Sequence, residues 1–333
     1  MFQNPSLRIA VTEKCNLACQ YCPKHGDSYS LKNPKLLDLK SFQEITKIAY
    51  GEGIKSFTIT GGEPLTKPDI TFPLTKHINN FKDINYLKLN TNGVLIKKYA
   101  KEIQNANFSE IKVNLNTLNA ETFKYITLKE DKTENVLEGI QILKDFKIPI
   151  RIQIVIGKFN IKEIVKLLGF CKKDNLDVKI FDLTYYENSK GLDEDFWQKN
   201  YIPLEKVLKN DYQKWETKKA FGGFGHSMKT FKTQEGTKIL IRDSNISSHY
   251  VPFCSTCPFY PCQDGICNII LSVDGRLKIC RNDGYDISLF NRNGKLKNKE
   301  EVKKSFKDIL NLFHKSKEKS RGLDEIHLPK RKH

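Results

Sequence analysis

Length, composition and charge already exclude several classes of protein. With 333 residues, of which 39% are hydrophobic, the chain can bury a large core; it has neither a run of about twenty apolar residues nor a basic-then-apolar leader, so we expect a cytoplasmic protein without a membrane segment. The net charge of +17 fits either solvated lysine-rich helix faces or an anionic partner, and the lack of an arginine-aromatic array argues against nucleic acid as that partner.

Short apolar runs alternate with longer amphipathic segments through the first half of the chain. The runs predict strands at 7–12, 56–60, 86–91, 110–115, 150–156 and 177–183. The segments between them predict helices at 38–53, 67–81, 96–106, 134–146 and 161–173. Six strand–helix units in succession are typical of a parallel sheet with right-handed crossovers, but they are too few to close an eight-stranded barrel. The predicted fold class is therefore α/β, a curved and partly open (β/α)6 TIM-like barrel.

Side-chain alternation within the strands predicts a polar barrel interior. In the run SFTIT, Phe57 and Ile59 share one face, whereas Ser56, Thr58 and Thr60 share the other. The other runs alternate in the same way. A closed eight-stranded barrel fills its interior with branched apolar side chains. We therefore expect the apolar faces to lie under the helices and the polar faces to line a solvated lumen that holds ligands.

The regular alternation ends near residue 215, and the segment that follows predicts a separate small module. It contains a short strand at 238–242 and five cysteines within 254–280. A last amphipathic segment at 300–317 predicts a helix before the basic end LPKRKH. We therefore predict three parts, which are a barrel at 1–215, a small iron-sulfur module at 216–290, and a helix with a basic tail at 291–333.

Eight of the nine cysteines fall into two groups. In a reducing compartment this grouping favours metal or cluster ligation over disulfides. The first group, Cys15, Cys19 and Cys22, follows the first predicted strand. Three thiolates can hold three irons of a cubane iron–sulfur cluster and leave the fourth iron open to a small molecule, and a zinc site is the alternative. Cys171, alone in a helical pattern, is interpreted as a small buried apolar residue.

Two segments resemble motifs of one enzyme superfamily. CNLACQYC at 15–22 is similar to the cysteine signature of the radical S-adenosylmethionine (SAM) superfamily, and TGGEPL at 60–65 resembles its glycine-rich SAM-binding motif. The resemblance implies that Cys15, Cys19 and Cys22 bind a [4Fe-4S] cluster whose open iron binds SAM. It also implies that an electron from a donor such as flavodoxin or ferredoxin cleaves SAM to a deoxyadenosyl radical, which abstracts hydrogen from a substrate.

The resemblance assigns cofactor binding to a set of residues near these motifs, namely Tyr21, Gly61, Gly62, Glu63, Asn92 and Asn114. The two glycines are expected to let the backbone approach the methionyl part of SAM, because a side chain would prevent it. Glu63 is expected to accept a hydrogen bond from the SAM ammonium, and Tyr21 to lie near the adenine. Asn92 and Asn114, at the ends of predicted strands, suit the ribose hydroxyls; for Asn92 an ordinary turn is the alternative.

Within the superfamily, the chain resembles most the branch that contains the GTP cyclase of molybdenum-cofactor biosynthesis. The similar segments are LRIAVTEKCNLACQYC at 7–22, NLNTLNAETFKYIT at 114–127 and LSVDGRLKIC at 271–280. Arg8 and Lys158 stand where that cyclase has cationic substrate contacts. This resemblance implies an anionic, nucleotide-like substrate.

Several positions depart from the cyclase pattern and predict a substrate other than GTP. Ser56 and Thr58 replace basic residues before the glycine motif, and Ile269 and Leu271 replace two arginines that handle the nucleotide. Each charge-assisted hydrogen bond lost in this way is worth roughly 1.5–3 kcal/mol. We therefore expect a nucleotide-like or other anionic small molecule. A radical SAM enzyme that modifies a peptide or a natural product is the alternative.

The second cysteine group departs from the cyclase pattern as well. Where the cyclase has three cysteines, this chain has five, namely Cys254, Cys257, Cys262, Cys267 and Cys280. Five candidate ligands suffice for a fully coordinated auxiliary [4Fe-4S] cluster, which would carry electrons without binding substrate. A zinc ribbon is the alternative for the CxxC spacing. Such a zinc site on a basic chain would also fit a noncatalytic RNA-binding protein, which is the third functional alternative.

Overall fold

The structure, a computed structural model, describes most of the chain. The described residues are 4–22, 36–185, 194–208, 216–218, 228–234, 236–244, 246–257, 260, 262, 264–281, 285–315 and 317–320. The predicted basic end at 328–333 lies outside the described residues.

Six parallel strands form the barrel wall, side by side in chain order. They are β1 (Leu7–Ala10), β2 (Ser56–Thr60), β3 (Tyr86–Thr91), β4 (Glu110–Asn114), β5 (Ile150–Ile156) and β6 (Asp177–Asp182). Neighbouring strands keep parallel register, with Leu7 beside Phe57 and Ile111 beside Ile150. Each strand ends close to its predicted boundary, and the predicted α/β partial barrel is confirmed.

Helices connect the strands and cover the outer face of the sheet. They are α1 (Leu39–Gly51), α2 (Pro68–Asn79), α3 (Ala100–Asn105), α4 (Ala120–Thr127), α5 (Thr133–Asp145) and α6 (Ile164–Lys173). Helix α4 was not predicted, because two turns are too short to show a clear apolar period. Its start is nevertheless encoded locally, since the Asn119 side chain accepts a hydrogen bond from the Thr122 amide at 3.0 Å.

The two faces of the sheet differ as the alternation predicts. Ile9, Ile59 and Leu89 have no exposed surface and belong to the core between sheet and helices. Arg8 and Thr58, on the opposite face, line a central cavity. The predicted polar lumen is therefore confirmed.

The segment after residue 215 adds strands to both edges of the barrel sheet. One edge carries β11 (Ile269–Leu271), β12 (Arg276–Lys278) and β13 (Asp286–Ser288). The other edge carries β9 (Lys238–Arg242), β8 (Met228–Lys232) and β7 (Glu216–Lys218). Strand β11 pairs in parallel with β1, and β9, the predicted short strand, pairs in parallel with β6; the outer strands are antiparallel. The cysteine segment thus shares a hydrogen-bonded sheet with the barrel, and the boundaries at 215 and 290 stay predictions.

Smaller elements complete the described fold. The helices are α7 (Glu194–Asn200), α8 (Leu204–Leu208) and α9 (Lys299–His314). Two strands, β10 (Ser247–Tyr250) and β14 (Lys317–Ser320), form a separate antiparallel pair. Helix α9 is the predicted terminal helix. A capping box between Asn298 and Glu301 starts it, and it packs against α1 through buried residues such as Phe306. Among the described residues, no helix is both long enough and apolar enough to cross a membrane.

A chain of ion pairs lies at the amino ends of the barrel strands. Glu110 on β4 binds Lys88 at 3.0 Å and Arg151 at 2.6 Å, and Arg151 also lies 3.7 Å from Asp177. The Glu110 side chain is only 11% exposed. Burial works to raise the pKa of Glu110, but the charges of Arg151 and Lys88 outweigh it and leave the pKa below its usual value.

Replacing Glu110 by glutamine is expected to lower the free energy of unfolding by about 1.5–3 kcal/mol at neutral pH, because the ion pairs of Lys88 and Arg151 lose their anionic partner. A lowered carboxyl pKa stabilises the fold above the usual value of 4.5, and this stabilisation is lost as the pH falls through the lowered value. Urea denaturation of both proteins at neutral pH and in acid measures the difference. A gap between wild type and Glu110→Gln that stays constant into acid would contradict this role.

Candidate active site

A cavity of about 470 Å³ occupies the lumen and reaches the loops that follow the first strands. Its lining contains most of the site residues that were expected from the amino-terminal motifs, namely Arg8, Cys15, Cys19, Tyr21, Cys22, Gly61, Gly62, Asn92 and Asn114. The structure therefore brings the cysteine loop, the glycine motif and two strand ends to one site.

The cysteine loop is anchored on helix α4. The backbone amides of Ala18 and Gln20 donate to the carbonyls of Thr127 and Ile126, at 3.0 and 2.9 Å. These carbonyls belong to the last turn of α4, where helix carbonyls lack partners within the helix. The helix that the sequence patterns missed therefore holds the middle of the cysteine loop.

The thiols of this loop lie in surroundings that disfavour bare thiolates. Burial raises the pKa of Cys19 to about 12 and also raises the pKa of Cys15 above its usual value. The Leu17 amide donates to the Cys15 sulfur at 3.4 Å, and the Asn92 side-chain amide lies 3.7 Å from it. A bound metal cation reverses this preference, since thiols ionise on coordination. Three thiols on one cavity wall, one of them with amide donors, fit the donor set of a cluster.

The glycine motif packs directly on the cysteine loop. The Gly62 amide donates to the Thr12 carbonyl at 2.8 Å, and the Glu63 amide donates to the Lys14 carbonyl at 2.9 Å. Gly61 has a φ of +139°, which favours glycine, and a β-carbon there would lie 2.3 Å from the Thr12 carbonyl oxygen. The glycines are therefore needed for backbone-to-backbone contact, besides any approach of a cofactor.

Replacing Gly62 by alanine is expected to displace the cysteine loop. The added β-carbon would lie 2.4 Å from the Lys14 carbonyl oxygen and 2.6 Å from that of Glu13, and backbone atoms on both sides cannot rotate away. We expect the free energy of unfolding to fall by about 1–3 kcal/mol and SAM binding to be lost. Gly169→Ala is the matched control, because nothing lies within 4 Å of its added β-carbon on α6. Urea denaturation and calorimetric SAM titration make the comparison, and wild-type SAM affinity in Gly62→Ala would refute it.

Glu63 lies apart from the cavity, and its expected hydrogen bond to the SAM ammonium stays a prediction without support from the geometry. Its side chain has no exposed surface and does not line the cavity. It accepts hydrogen bonds from the Leu65 amide at 3.0 Å, the Thr91 hydroxyl at 2.8 Å and the Asn92 amide at 2.7 Å. Burial raises the pKa of Glu63 to about 7, although the three hydrogen bonds act to lower it. The structure thus makes the Glu63 carboxylate a link between the β2 and β3 loops and does not bring it to the cavity as an acceptor for SAM.

Tyr21 is held in place by a residue that sequence reasoning missed. The Asn116 side-chain amide donates to the Tyr21 hydroxyl at 2.7 Å, and its carbonyl oxygen accepts from the Val155 amide at 2.8 Å. Burial raises the pKa of Tyr21 well above its usual value, so the phenol stays neutral. Strand alternation could have identified Asn116, because it stands two residues after Asn114 and so continues the same polar face.

Deeper in the lumen, the cavity is lined by cations. Besides Arg8, they are Lys112, Lys179, Arg242 and Arg281. The Arg8 side chain lies 3.3 Å from the Thr60 hydroxyl. In the described ranges the Lys112 side chain makes no hydrogen bond or ion pair, although the charge of Glu110 acts on it. Burial, and then the charges of Lys88 and Lys179, hold the pKa of Lys112 well below its usual value. Both lumen lysines stand at polar-face strand positions, where the alternation could have identified them.

Lys158 is not brought to this cavity. Its side chain is exposed, and its backbone amide donates to the Asn200 carbonyl at 2.8 Å. Its expected role as a substrate contact stays a prediction without support from the geometry. Ile269 and Leu271, which stand where the cyclase has arginines, are apolar and fully buried in β11. They therefore supply no charge to the lumen.

The second cysteine group lies beside the cavity. Cys254 is buried, the half-buried members are Cys257, Cys262, Cys267 and Cys280, and Cys267 lines the cavity. The Gly265 amide donates to the Cys262 sulfur at 3.3 Å. In the part of the chain that the structure describes, no three His, Cys, Asp or Glu side chains approach closely enough to hold one metal ion. Which of these thiols ligate a cluster stays a prediction.

Comparison with known proteins identifies the family. The profile of the Radical SAM superfamily matches residues 9–171. A curated relative from Alkaliphilus metalliredigens, a GTP 3',8-cyclase, is 31% identical over 292 residues, which cover 85% of this chain and 82% of the relative. The chain belongs to the radical SAM superfamily. A GTP 3',8-cyclase from Helicobacter pylori is likewise 31% identical, over 82% of this chain and 79% of its own length.

Solved radical SAM structures share the fold. SuiB of Streptococcus suis has a TM-score of 0.57 at 15% identity over 94% of this chain and 66% of its own. The structure of anSMEcpe with bound AdoMet has a TM-score of 0.56 at 18% identity, over 93% of this chain and 78% of its own. As a radical SAM enzyme, the chain uses SAM and a [4Fe-4S] cluster, and the alternative of a noncatalytic RNA-binding protein is wrong.

Proposed function

We propose that this enzyme cleaves SAM reductively to a 5'-deoxyadenosyl radical, which abstracts hydrogen from an anionic, nucleotide-like small molecule bound in the barrel lumen. The observation that carries the proposal is the arrangement of one cavity, with Cys15, Cys19 and Cys22 on its wall and the lysines Lys112 and Lys179 deeper in the lumen. The cofactor and the substrate would therefore share one enclosed space.

The amino-terminal cysteines would hold the catalytic cluster, which supplies the electron for SAM cleavage when bound. Around it, the chain's own groups serve to bind and orient. Asn92 and Asn114 line the cavity and offer amides suited to ribose hydroxyls, and the half-buried Tyr21 offers an aromatic face for the adenine. Glu63 contributes indirectly, since its hydrogen bond to the Asn92 amide fixes the turn that carries that side chain.

Lumen electrostatics supports an anionic substrate. A buried cation without an anionic partner is costly, and like charges nearby add to the cost. Lys112, half-buried on the cavity wall, approaches this position: Lys88, Lys179 and Arg8 lower its pKa, and the charge of Glu110 only partly offsets them. An anion bound between them would remove the repulsion and supply charge-assisted hydrogen bonds. Phosphate groups of a nucleotide have the required charge.

The relatives named GTP 3',8-cyclase make a nucleotide the first class to test. The lumen nevertheless lacks the basic residues that the cyclase pattern has on β2, although it keeps Arg8 on β1. Hydroxyls of Ser56 and Thr58 line the β2 side of the cavity, and Lys112 stands on β4. A substrate whose charge lies on the β4 side fits this lumen, so we keep the expectation of a substrate other than GTP.

We further propose that the second cysteine group holds an auxiliary [4Fe-4S] cluster and that flavodoxin or ferredoxin supplies the electrons. The group lies beside the cavity through Cys267, and its five thiols exceed the four that a complete cluster needs. The Gly265 amide at the Cys262 sulfur is a hydrogen bond of the kind that tunes such clusters.

Deuterium transfer tests the proposed function. Protein reconstituted with iron and sulfide without oxygen would be reduced with SAM and, in parallel reactions, with ribonucleotides that carry deuterium in the ribose, GTP among them, or with deuterated peptides. Mass spectrometry would then follow deuterium into deoxyadenosine. Transfer from a nucleotide-like anion is the expected result. Transfer only from a peptide would support the peptide-modifying alternative, and an intact SAM pool would contradict both.

A further inference from the structure

A buried carboxylate joins the cysteine segment to the barrel. Asp264 lies between Cys262 and Cys267, in the part of the second cysteine group that departs from the cyclase pattern. Its side chain is 3% exposed and binds two arginines, Arg242 at 2.7 Å and Arg281 at 3.1 Å. The same nitrogen of Arg242 also donates to the Asp264 carbonyl at 2.7 Å.

The two arginines come from separate elements. Arg242 ends strand β9, and Arg281 directly follows Cys280. One anion therefore ties the barrel edge to two parts of the cysteine segment.

The turn that contains Asp264 also presents a donor to a cysteine sulfur. Gly265 has a φ of +63°, and its amide donates to the Cys262 sulfur at 3.3 Å. The next residue, Ile266, donates its amide to the His249 carbonyl at 2.8 Å. Fixing the Asp264 side chain thus fixes the direction of an N–H group that points at a candidate cluster ligand. Such groups orient ligands and tune clusters.

We propose that Asp264 is a positioning residue for the auxiliary cluster. By binding Arg242 and Arg281, it holds the cysteines at 262, 267 and 280 in place before iron arrives and keeps the Gly265 amide against the Cys262 sulfur. This inference rests on the proposed auxiliary cluster. It assigns a role to a residue that is itself no cluster ligand.

The test isolates the auxiliary cluster in a protein whose Cys15, Cys19 and Cys22 are all alanine. After anaerobic reconstitution, this background is expected to hold about four irons per chain. Asp264→Asn in the same background is expected to lose at least half of that iron and to change the electron paramagnetic resonance spectrum of what remains. Asp264→Glu keeps the charge and is expected to restore most of the iron.

Two further variants keep the result decisive. Asp286→Asn is the matched control, because it removes an aspartate that binds Arg276 at 3.0 Å without joining any cysteine, and it is expected to change neither iron nor spectrum. Arg281→Gln, which leaves the Arg242 pair in place, is expected to act like Asp264→Asn and replaces it if that variant does not fold. If Asp264→Asn, or Arg281→Gln in its place, kept all its iron and an unchanged spectrum, the positioning role would be overturned. The proposed auxiliary cluster would still stand. A background protein without iron would overturn the auxiliary cluster and with it this inference.

Discussion

Cys15→Ala, Cys19→Ala and Cys22→Ala are each expected to reduce SAM cleavage to the background of the assay while the protein stays folded. All three thiols line the cavity wall, and a cubane with only three protein ligands has no spare one. The loop itself is held by backbone hydrogen bonds to helix α4, which the substitutions leave intact. Deoxyadenosine formed on reduction measures cleavage, and iron should fall by about four per chain.

Cys171→Ala is the control, because it removes a thiol that does not lie in the cysteine loop. Cys171 is fully buried in α6, away from the cavity, so this variant should keep its iron and its SAM cleavage. Circular dichroism checks that all variants fold. Cleavage that survives in any of the three loop variants would remove that cysteine from the cluster.

Lys112→Gln is expected to weaken substrate binding about 10- to 150-fold, because one charge-assisted hydrogen bond is worth about 1.5–3 kcal/mol. SAM affinity should not change, since Lys112 lies on β4 toward the floor of the lumen. Calorimetric titration with SAM measures the first affinity, and titration of SAM-loaded protein with the nucleotide that gives deuterium transfer measures the second. Lys172→Gln on the exposed side of α6 is the matched control, and it should bind like wild type.

Proton uptake on substrate binding is a second measurement that tests the role of Lys112. Burial, and then the charges of Lys88 and Lys179, hold the pKa of Lys112 well below its usual value. An anion binds the protonated amine, so binding should raise this pKa, take up protons and weaken as the pH rises. Titrations in buffers of different ionisation enthalpy detect the uptake, which Lys112→Gln should lose. Equal affinity and equal proton uptake in wild type and Lys112→Gln would exclude Lys112 from the substrate site.

Much of the barrel could be predicted from local patterns. Strand alternation of period two located β1 to β6 and told the polar face from the apolar face, because the alternation is a property of each strand alone. It also held the signal for Lys112 and Asn116, which pattern matching to known motifs passed over. Helix α4 escaped prediction because two turns show too little periodicity, although its Asn119 cap was present.

Contacts between distant segments could not be predicted in this way. Glu63 was assigned to SAM from its motif, but its partners Thr91 and Asn92 stand 28 and 29 residues away, on the next strand's end. Asp264 binds Arg242 from 22 residues away and Arg281 from 17. Such pairs depend on how strands register in the sheet, which no local pattern specifies.

The sequence by itself indicated the barrel, through short-range alternation, and the superfamily and its three cysteines, through the resemblance of two short motifs to a known family. Only the tertiary structure decided that the cysteine segment joins the barrel sheet through β11, that the Glu63 side chain is buried away from the cavity, and that Lys112 faces the lumen among other cations. The physical reason is that burial and charge pairing depend on residues far apart in the chain. These residues come together only when the strands have paired into the curved sheet.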